Sequence, residues 1–255
     1  MNDPFQMQPE LRYGAPVCDT ILTGRYFTIG YSWYFRQAKW TLEIVKRDDD
    51  VIPYRLDRMD NFRADLRIPH RFRAGLTGYK NSGFDRGHLA ASGNHDGREI
   101  QNSETFLLSN MSPQKADFNR GKWKELEDAI RTLDAQKDKD GNSLYLETYV
   151  LTCPVFYFQR EIISIGDRND KYGIDIPVPH AFVKSVLTEN RKGGLQLWTF
   201  LMENTKLEGS LQDYLVKTYD AEQYVGGRFW DRLSGGDLHV AKGRKGTIWD
   251  IVAEP

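Results

Sequence analysis

The chain has 255 residues, 40% of them hydrophobic and 13% aromatic, which is enough apolar material for a buried core and too much for a disordered chain. A net charge of −1 excludes a globally basic polyanion binder, and no apolar run approaches the roughly 20 residues needed to span a bilayer. The two cysteines, Cys18 and Cys153, have neither a zinc spacing nor a disulfide framework, and two buried free thiols are expected ahead of a single bridge.

The chain starts MNDPFQMQPELRYG, with no basic segment leading into an apolar one, so no secretory signal is legible. A cytoplasmic protein and a trimmed secreted or organellar form both fit. YFTIGYSWYF (26–35) and WTLEIV (40–45) are rich in β-branched and aromatic residues and are read as strands. Residues 46–104 are polar, arginine-rich and broken by Gly and Pro, which predicts long loops of the kind that carry function. Within them, 67–84 holds Arg67, Arg71, Arg73 and Lys80 with no acid, a patch suited to phosphate contacts or simply a solvated loop.

TFLLSN (105–110) is expected as a short buried strand, stopped by the breakers Asn110, Ser112 and Pro113. A helix follows over about 118–136, where Trp123, Leu126, Ile130 and Leu133 recur at spacings of 3, 4 and 3. DKDGNS (138–143) ends it as a turn; its glycine is out of register for a calcium loop. SLYLETYVLTCPVFYF (143–158) is one long strand or two short ones. VPHAFVKSVLTEN and LQLWTFLMEN, separated by RKGG, predict a hairpin, and 211–226 a second helix. The sum is an α+β fold, a central antiparallel sheet with packed helices.

Nucleophile-elbow, phosphate-loop and H-E-x-x-H patterns are absent. Chemistry-bearing residues concentrate between positions 58 and 127: Arg58, Asp85, Arg86, His88, Asn110, Asn119 and Glu127. On a regular helix Asn119, Trp123 and Glu127 fall at i, i+4 and i+8, along one side, with about 12 Å of rise between the outer two. Asn119 near a helix N-terminus and Glu127 leaning back toward it could serve one hydrated ion, Mg²⁺ in preference to Zn²⁺. An ordinary helix start and a solvated glutamate would produce the same residues.

FDRGHLAASGNH, TFLLSNMSPQ and FNRGKWKELED together resemble the sugar-non-specific DNA/RNA endonucleases, whose hallmark is D-R-G-H, then S-N-x-x-P-Q, an Asn opening a helix, and W-x-x-L-E. Asp85 to His88, Ser109-Asn110, Pro113-Gln114, Asn119, Trp123 and Leu126-Glu127 occur here in that order. Weaker agreement covers residues 11 to about 205, including GAPV, LTCPVF (with Cys153 where a glycine is common) and VPHAFVKSV; the last 50 residues match nothing in the pattern.

The resemblance implies a ββα-metal active site and a single nuclease domain over 1–255, with 206–255 as a C-terminal extension of unassigned role. It implies His88 as general base, Asn119 as ligand of a single Mg²⁺ (Mn²⁺ as substitute), and Glu127 acting through metal-bound water. Arg58 would grip the phosphate, with Arg55 and Arg63 as competitors. Asp85 and Arg86 would position or contact the phosphate, and Asn110 would orient the histidine or a neighbouring loop. Gly87 is expected to permit a tight turn. His95 fits a loop hydrogen bond better than a second metal or catalytic role. The implied reaction is phosphodiester hydrolysis in DNA and RNA with low sequence specificity, leaving 5′-phosphates; an inactive relative that only binds is the alternative. No membrane is implied. A homodimer and a regulatory or inhibitor protein are the partners to which the resemblance extends.

Overall fold

The computed structural model describes residues 8–45, 57–167, 169–233 and 235–249. The chain opens with three antiparallel strands, β1 (Thr20–Thr23), β2 (Phe27–Ser32) and β3 (Gln37–Val45). A short helix α1 (Leu76–Tyr79), strand β4 (Asp85–His88), helix α2 (Glu99–Thr105) and strand β5 (Met111–Gln114) follow. Helix α3 (Lys124–Asp134) leads into β6 (Tyr145–Val155), the small pair β7 (Ser164–Gly166) and β8 (Asp175–Pro177), and the hairpin of β9 (Ala181–Asn190) and β10 (Leu195–Glu203). The end is β11 (Leu215–Val216), α4 (Thr218–Val225) and α5 (Gly236–Gly243).

The main sheet has seven strands in the order β1-β2-β3-β6-β9-β10-β11, and every pair is antiparallel. Both faces are covered, so the inner strands do not alternate apolar with exposed. Trp40, Leu42 and Ile44 of β3, Leu151 and Cys153 of β6, and Val183 and Leu187 of β9 point to one face, into a cluster closed by Ala221, Phe229 and Trp230. The opposite face carries Val45, Val150, Phe182 and Val186 beneath α3, whose Leu126, Ala129, Ile130 and Leu133 are buried there. The residues after 205 fill both faces: Trp230 Nε1 donates to Ser185 Oγ at 3.0 Å and Trp249 Nε1 to Ala129 O at 3.1 Å.

The predicted hairpin is present. Asn190 Oδ1 accepts from the Lys192 and Gly194 amides, both at 2.9 Å, and Gly193 supplies the φ of +77° that the turn requires. DKDGNS is a turn closed on the Asp138 carboxylate. Both cysteines are free, although Cys18 is only half-buried. Elsewhere the chain departs from expectation. TFLLSN is not a strand: α2 ends at Thr105, a 3-10 turn covers Leu108–Asn110, and the strand is MSPQ. Pro113 is tolerated there because β5 pairs with β4 alone. Asp85–His88, expected within a loop, is a strand, because Asp85↔Gln114 to His88↔Met111 pair in register. The predicted 211–226 helix is divided: Leu211–Tyr214 is a 3-10 turn, Leu215–Val216 pairs as β11, and Thr218–Val225 is α-helical.

Candidate active site

The pair β4–β5 followed by the helical segment from Phe118 gives a ββα succession. Two rings organise its basic groups. The His88 ring lies 4.8 Å from Phe106 and 5.8 Å from Phe62. The Arg58 guanidinium sits 5.1 Å from the Phe106 ring centre, and that of Arg86 lies 4.0 Å from Phe62. An imidazole and two guanidiniums therefore converge on one aromatic pair, with Arg58 also ion-paired to Asp60 at 2.7 Å. Burial foremost, then Arg58, His95 and Arg86, push the His88 imidazolium down to about 3, so the ring is neutral at physiological pH. Its Nε2 is buried and has no hydrogen-bond partner.

Gly87 does not turn. It lies in the strand, where an added Cβ would sit 2.0 Å from Gln114 Oε1 across the pair, so glycine is required by close approach. Gln114 is itself fully buried with neither end of its amide partnered. Asn110 braces the chain beyond His88: Oδ1 accepts from Ala90 N at 2.9 Å, and Nδ2 donates to Ala90 O and Thr105 O, both at 2.9 Å. That is the loop-orienting half of the expectation for Asn110, with no bond to the histidine itself.

Asp85 ties the strand to the helix. Its carboxylate accepts from Asn119 Nδ2 at 3.0 Å and from Arg120 through two bonds of 2.9 and 2.8 Å. Partial burial opposes its charge, but these donors hold its carboxyl below the usual range. Because Nδ2 is committed to Asp85, Asn119 Oδ1 is the end of the amide left to meet a ligand. The helix is not the regular one that the i, i+4, i+8 reading assumed. Helical geometry begins at Ala116, the Asn119 amide already donates to Lys115 O at 2.9 Å, and Phe118–Trp123 is π-helical with a break at Gly121 (φ −102°, ψ −112°). Asn119 therefore offers a side chain and no free helix-terminal N–H. Glu127 is not a solvated residue either: its Oε1 is buried without a hydrogen-bond partner, 3.9 Å from Lys184 Nζ. Burial raises its carboxyl above the usual range, against the pull of Lys184 and Arg131.

The competitor Arg63 is occupied, donating to Asn61 O at 3.2 Å and Ser103 O at 2.9 Å, and Arg55 lies outside the described residues. The basic patch divides. Arg67 forks onto Asp65, an acid just upstream of the stretch that reads as acid-free, with bonds of 2.9 and 2.7 Å. Arg71 packs over Phe72 at 4.9 Å, and Arg73 is half-buried nearby. Lys80 instead joins Arg86, Asp85, Phe84 and Tyr79 along a groove of about 420 Å³. Lys115, which spacing gave no reason to single out, lies 4.4 Å over Phe84. His95 makes the expected loop contact, 2.9 Å from Glu43 Oε2, in a pocket where Asn94 and Ala91 also donate to Glu43.

A family model described as DNA/RNA non-specific endonuclease matches residues 9–235. The chain belongs to that family. It is therefore an endonuclease of nucleic acid, and the family match extends some 30 residues beyond the point where the sequence motifs fade. The family relatives include a mitochondrial endonuclease G of Caenorhabditis elegans, 30% identical over 96% of this chain and 80% of that protein. Nuclease C1 of Cunninghamella echinulata var. echinulata is 31% identical over 91% and 92% of the two chains. The crystal structure of an EndoG/EndoGI complex, which concerns the mechanism of EndoG inhibition, contains a chain that superposes with a TM-score of 0.77 at 27% identity, covering 92% of this chain and 95% of that one. Among the described residues no helix is long and apolar enough to cross a membrane.

Sequence reasoning missed Phe106, Arg120, Lys115 and Lys184 at or beneath this site. Arg120 was legible as the neighbour of Asn119; the others come together only through long-range folding.

Proposed function

We propose that the endonuclease hydrolyses the phosphodiester bonds of DNA and RNA with His88 as general base and one Mg²⁺, for which Mn²⁺ can substitute, leaving 5′-phosphates. The observation that carries this reading is the neutral His88 ring, held with the Arg58 and Arg86 guanidiniums on one aromatic pair. A neutral imidazole with a free lone pair accepts a proton from water and needs none removed first.

The residues fit a hydrated Mg²⁺. Asn119 has one amide end fixed by Asp85 and the oxygen to spare, and Glu127 has a buried orphan oxygen. Among the described residues no three His, Cys, Asp or Glu side chains cluster as a cage, which suits an ion that keeps most of its waters. Asn119 would hold the ion and Glu127 its water shell. When bound, the ion supplies charge neutralisation at the phosphate and at the leaving 3′ oxygen.

The protein's own groups do the rest. His88 takes the proton of the attacking water on its neutral imidazole. Arg58 and Arg86 grip the non-bridging phosphate oxygens, Arg58 exchanging its 2.7 Å bond to Asp60 for the substrate. Asp85 keeps Asn119 in one orientation, and Asn110 fixes the backbone after the base. Lys80 and Lys115 follow the backbone along the groove, and contacts of that kind carry no direct sequence code. The EndoGI-bound neighbour supports an inhibitor protein as one class of partner.

A supercoiled-plasmid nicking assay with and without Mg²⁺, beside His88→Ala and with an RNA substrate in parallel, tests the reading. Wild type is expected to nick both substrates only with the ion, and the variant to be nearly inert. Equal activity of the two proteins would remove His88 as the base, and an inert wild type across divalent ions would remove the enzyme mechanism.

A further inference from the structure

Lys184 rises from the middle of β9 with only 1% of its side chain exposed. An ammonium buried this far is costly unless its donors are matched, and a Met or Leu would fill a sheet interior at no such cost. Its surroundings are specific. Nζ donates to Thr152 Oγ1 at 3.1 Å and to Leu89 O at 3.4 Å, lies 3.9 Å from Glu127 Oε1, and sits 4.4 Å over the Trp123 ring. Leu89 is the residue after His88, and Glu127 stands on the helix that carries Asn119's segment. One cation thus touches the base strand, the metal-side helix and the sheet below. Glu43 on β3 and Arg131 on α3 complete the charged surroundings.

From these contacts we infer that Lys184 is a positioning residue for the nuclease reaction: it fixes the Glu127 carboxylate relative to the backbone that follows His88. This rests on the Mg²⁺ reading of the site. Among the described residues no hydrogen bond holds Glu127 Oε1, so the 3.9 Å ion pair is the contact that aims it. Without the cation Glu127 keeps its place on α3 but loses its counter-charge and its direction. The effect should appear in the use of Mg²⁺ and in kcat, and not in KM for the polymer, which is set by groups in the groove.

The test measures two quantities on the full chain: the Mg²⁺ concentration for half-maximal plasmid nicking, and the midpoint of the Mg²⁺-induced rise in Tm without substrate. Lys184→Met is expected to move both midpoints about tenfold upward and to lower kcat about tenfold at unchanged KM. Glu127→Gln should do the same, and the double variant should be little worse than either, as expected of one coupled pair. Lys184→Arg is expected to recover part of the shift. Thr152→Val, which removes one anchor of the ammonium and keeps the core volume, should give a smaller shift, about threefold, and serves in place of Lys184→Met if that variant does not fold. Unchanged Mg²⁺ midpoints in a folded Lys184→Met, or in Thr152→Val, overturn the inference. So does full additivity with Glu127→Gln. A wild type whose Tm and activity both ignore Mg²⁺ overturns the metal reading, and this inference with it.

Discussion

On one face of the central sheet, β3, β6 and β9 present Trp40, Leu42, Leu151, Cys153, Val183 and Leu187 to a mainly apolar layer, in which Ser185 is bonded to Trp230 and Thr199. On the other face the same strands present Thr41, Glu43, Thr152 and Lys184, all buried. The pairing Thr41↔Thr152↔Lys184 runs across three strands, so the polar residues form a row. The apolar face needs only volume and water exclusion. The polar row costs desolvation, and its charged members are matched from above, Lys184 by Leu89 O and Glu127, and the neighbouring Glu43 by His95, Asn94 and Ala91. The two buried faces therefore divide the work unequally: one serves packing, and the other packs α3 and also carries the polar platform beneath the site.

The sharpest way to break that division is to truncate each face in turn. His88→Ala is expected to lower kcat by about 10²–10⁴-fold while the protein stays folded at the assay temperature, measured by nicking rate and thermal melt. Leu151→Ala, from a fully buried position on the apolar face, should cost about 2–5 kcal/mol in denaturant unfolding. Its kcat below the transition should stay near wild type. A large loss of kcat in folded Leu151→Ala would show that the faces are coupled.

The pH dependence of stability sharpens the same contrast. His88 titrates at about 3 in the folded protein and near 6.5 when unfolded, so the unfolded chain binds the extra proton first. The contribution of the neutral ring is fully present above about pH 6.5 and is lost as pH falls toward 3. Between pH 6 and 4 the slope of unfolding free energy for wild type should exceed that of His88→Asn by about 1.4 kcal/mol per pH unit. The direct check is an NMR titration of the free protein, in which the His88 ring should show no imidazolium down to about pH 4. The smallest effect belongs to the rim. Lys80→Ala should reduce the slope of log affinity against log salt by about one for a DNA duplex bound by the His88→Ala protein, whereas Arg67→Ala, already paired with Asp65, should change it less.

Much of this was legible in advance. The strands of β2, β3, β6, β9 and β10 follow from their β-branched and aromatic runs, and the α3 stripe from Leu126, Ile130 and Leu133. The linked motifs around His88, Asn119 and Glu127 identified the family, because a set of spaced polar residues is specific where any one of them is not. The errors fell where local pattern and tertiary pairing disagree. TFLLSN has the composition of a strand, yet the ladder partner of Asp85–His88 is the Pro-containing MSPQ. Propensity yielded there to pairing.

The chain's own pattern sets the reactive groups and the helix that follows them: the base, the arginines, the amide and the carboxylates, whereas the β4–β5 pair emerged from pairing. Only the tertiary structure decided which groups are free to react. Arg67 is held by the buried Asp65 and Arg63 by backbone carbonyls, while Arg86 and Arg58, the latter paired with the exposed Asp60, share the Phe62 and Phe106 rings with His88. Glu127 acquires Lys184 from 57 positions away. The reason is physical: periodicity records which face a side chain leaves its own element by, whereas burial, pKa and ionic partnership depend on what another element brings to that face.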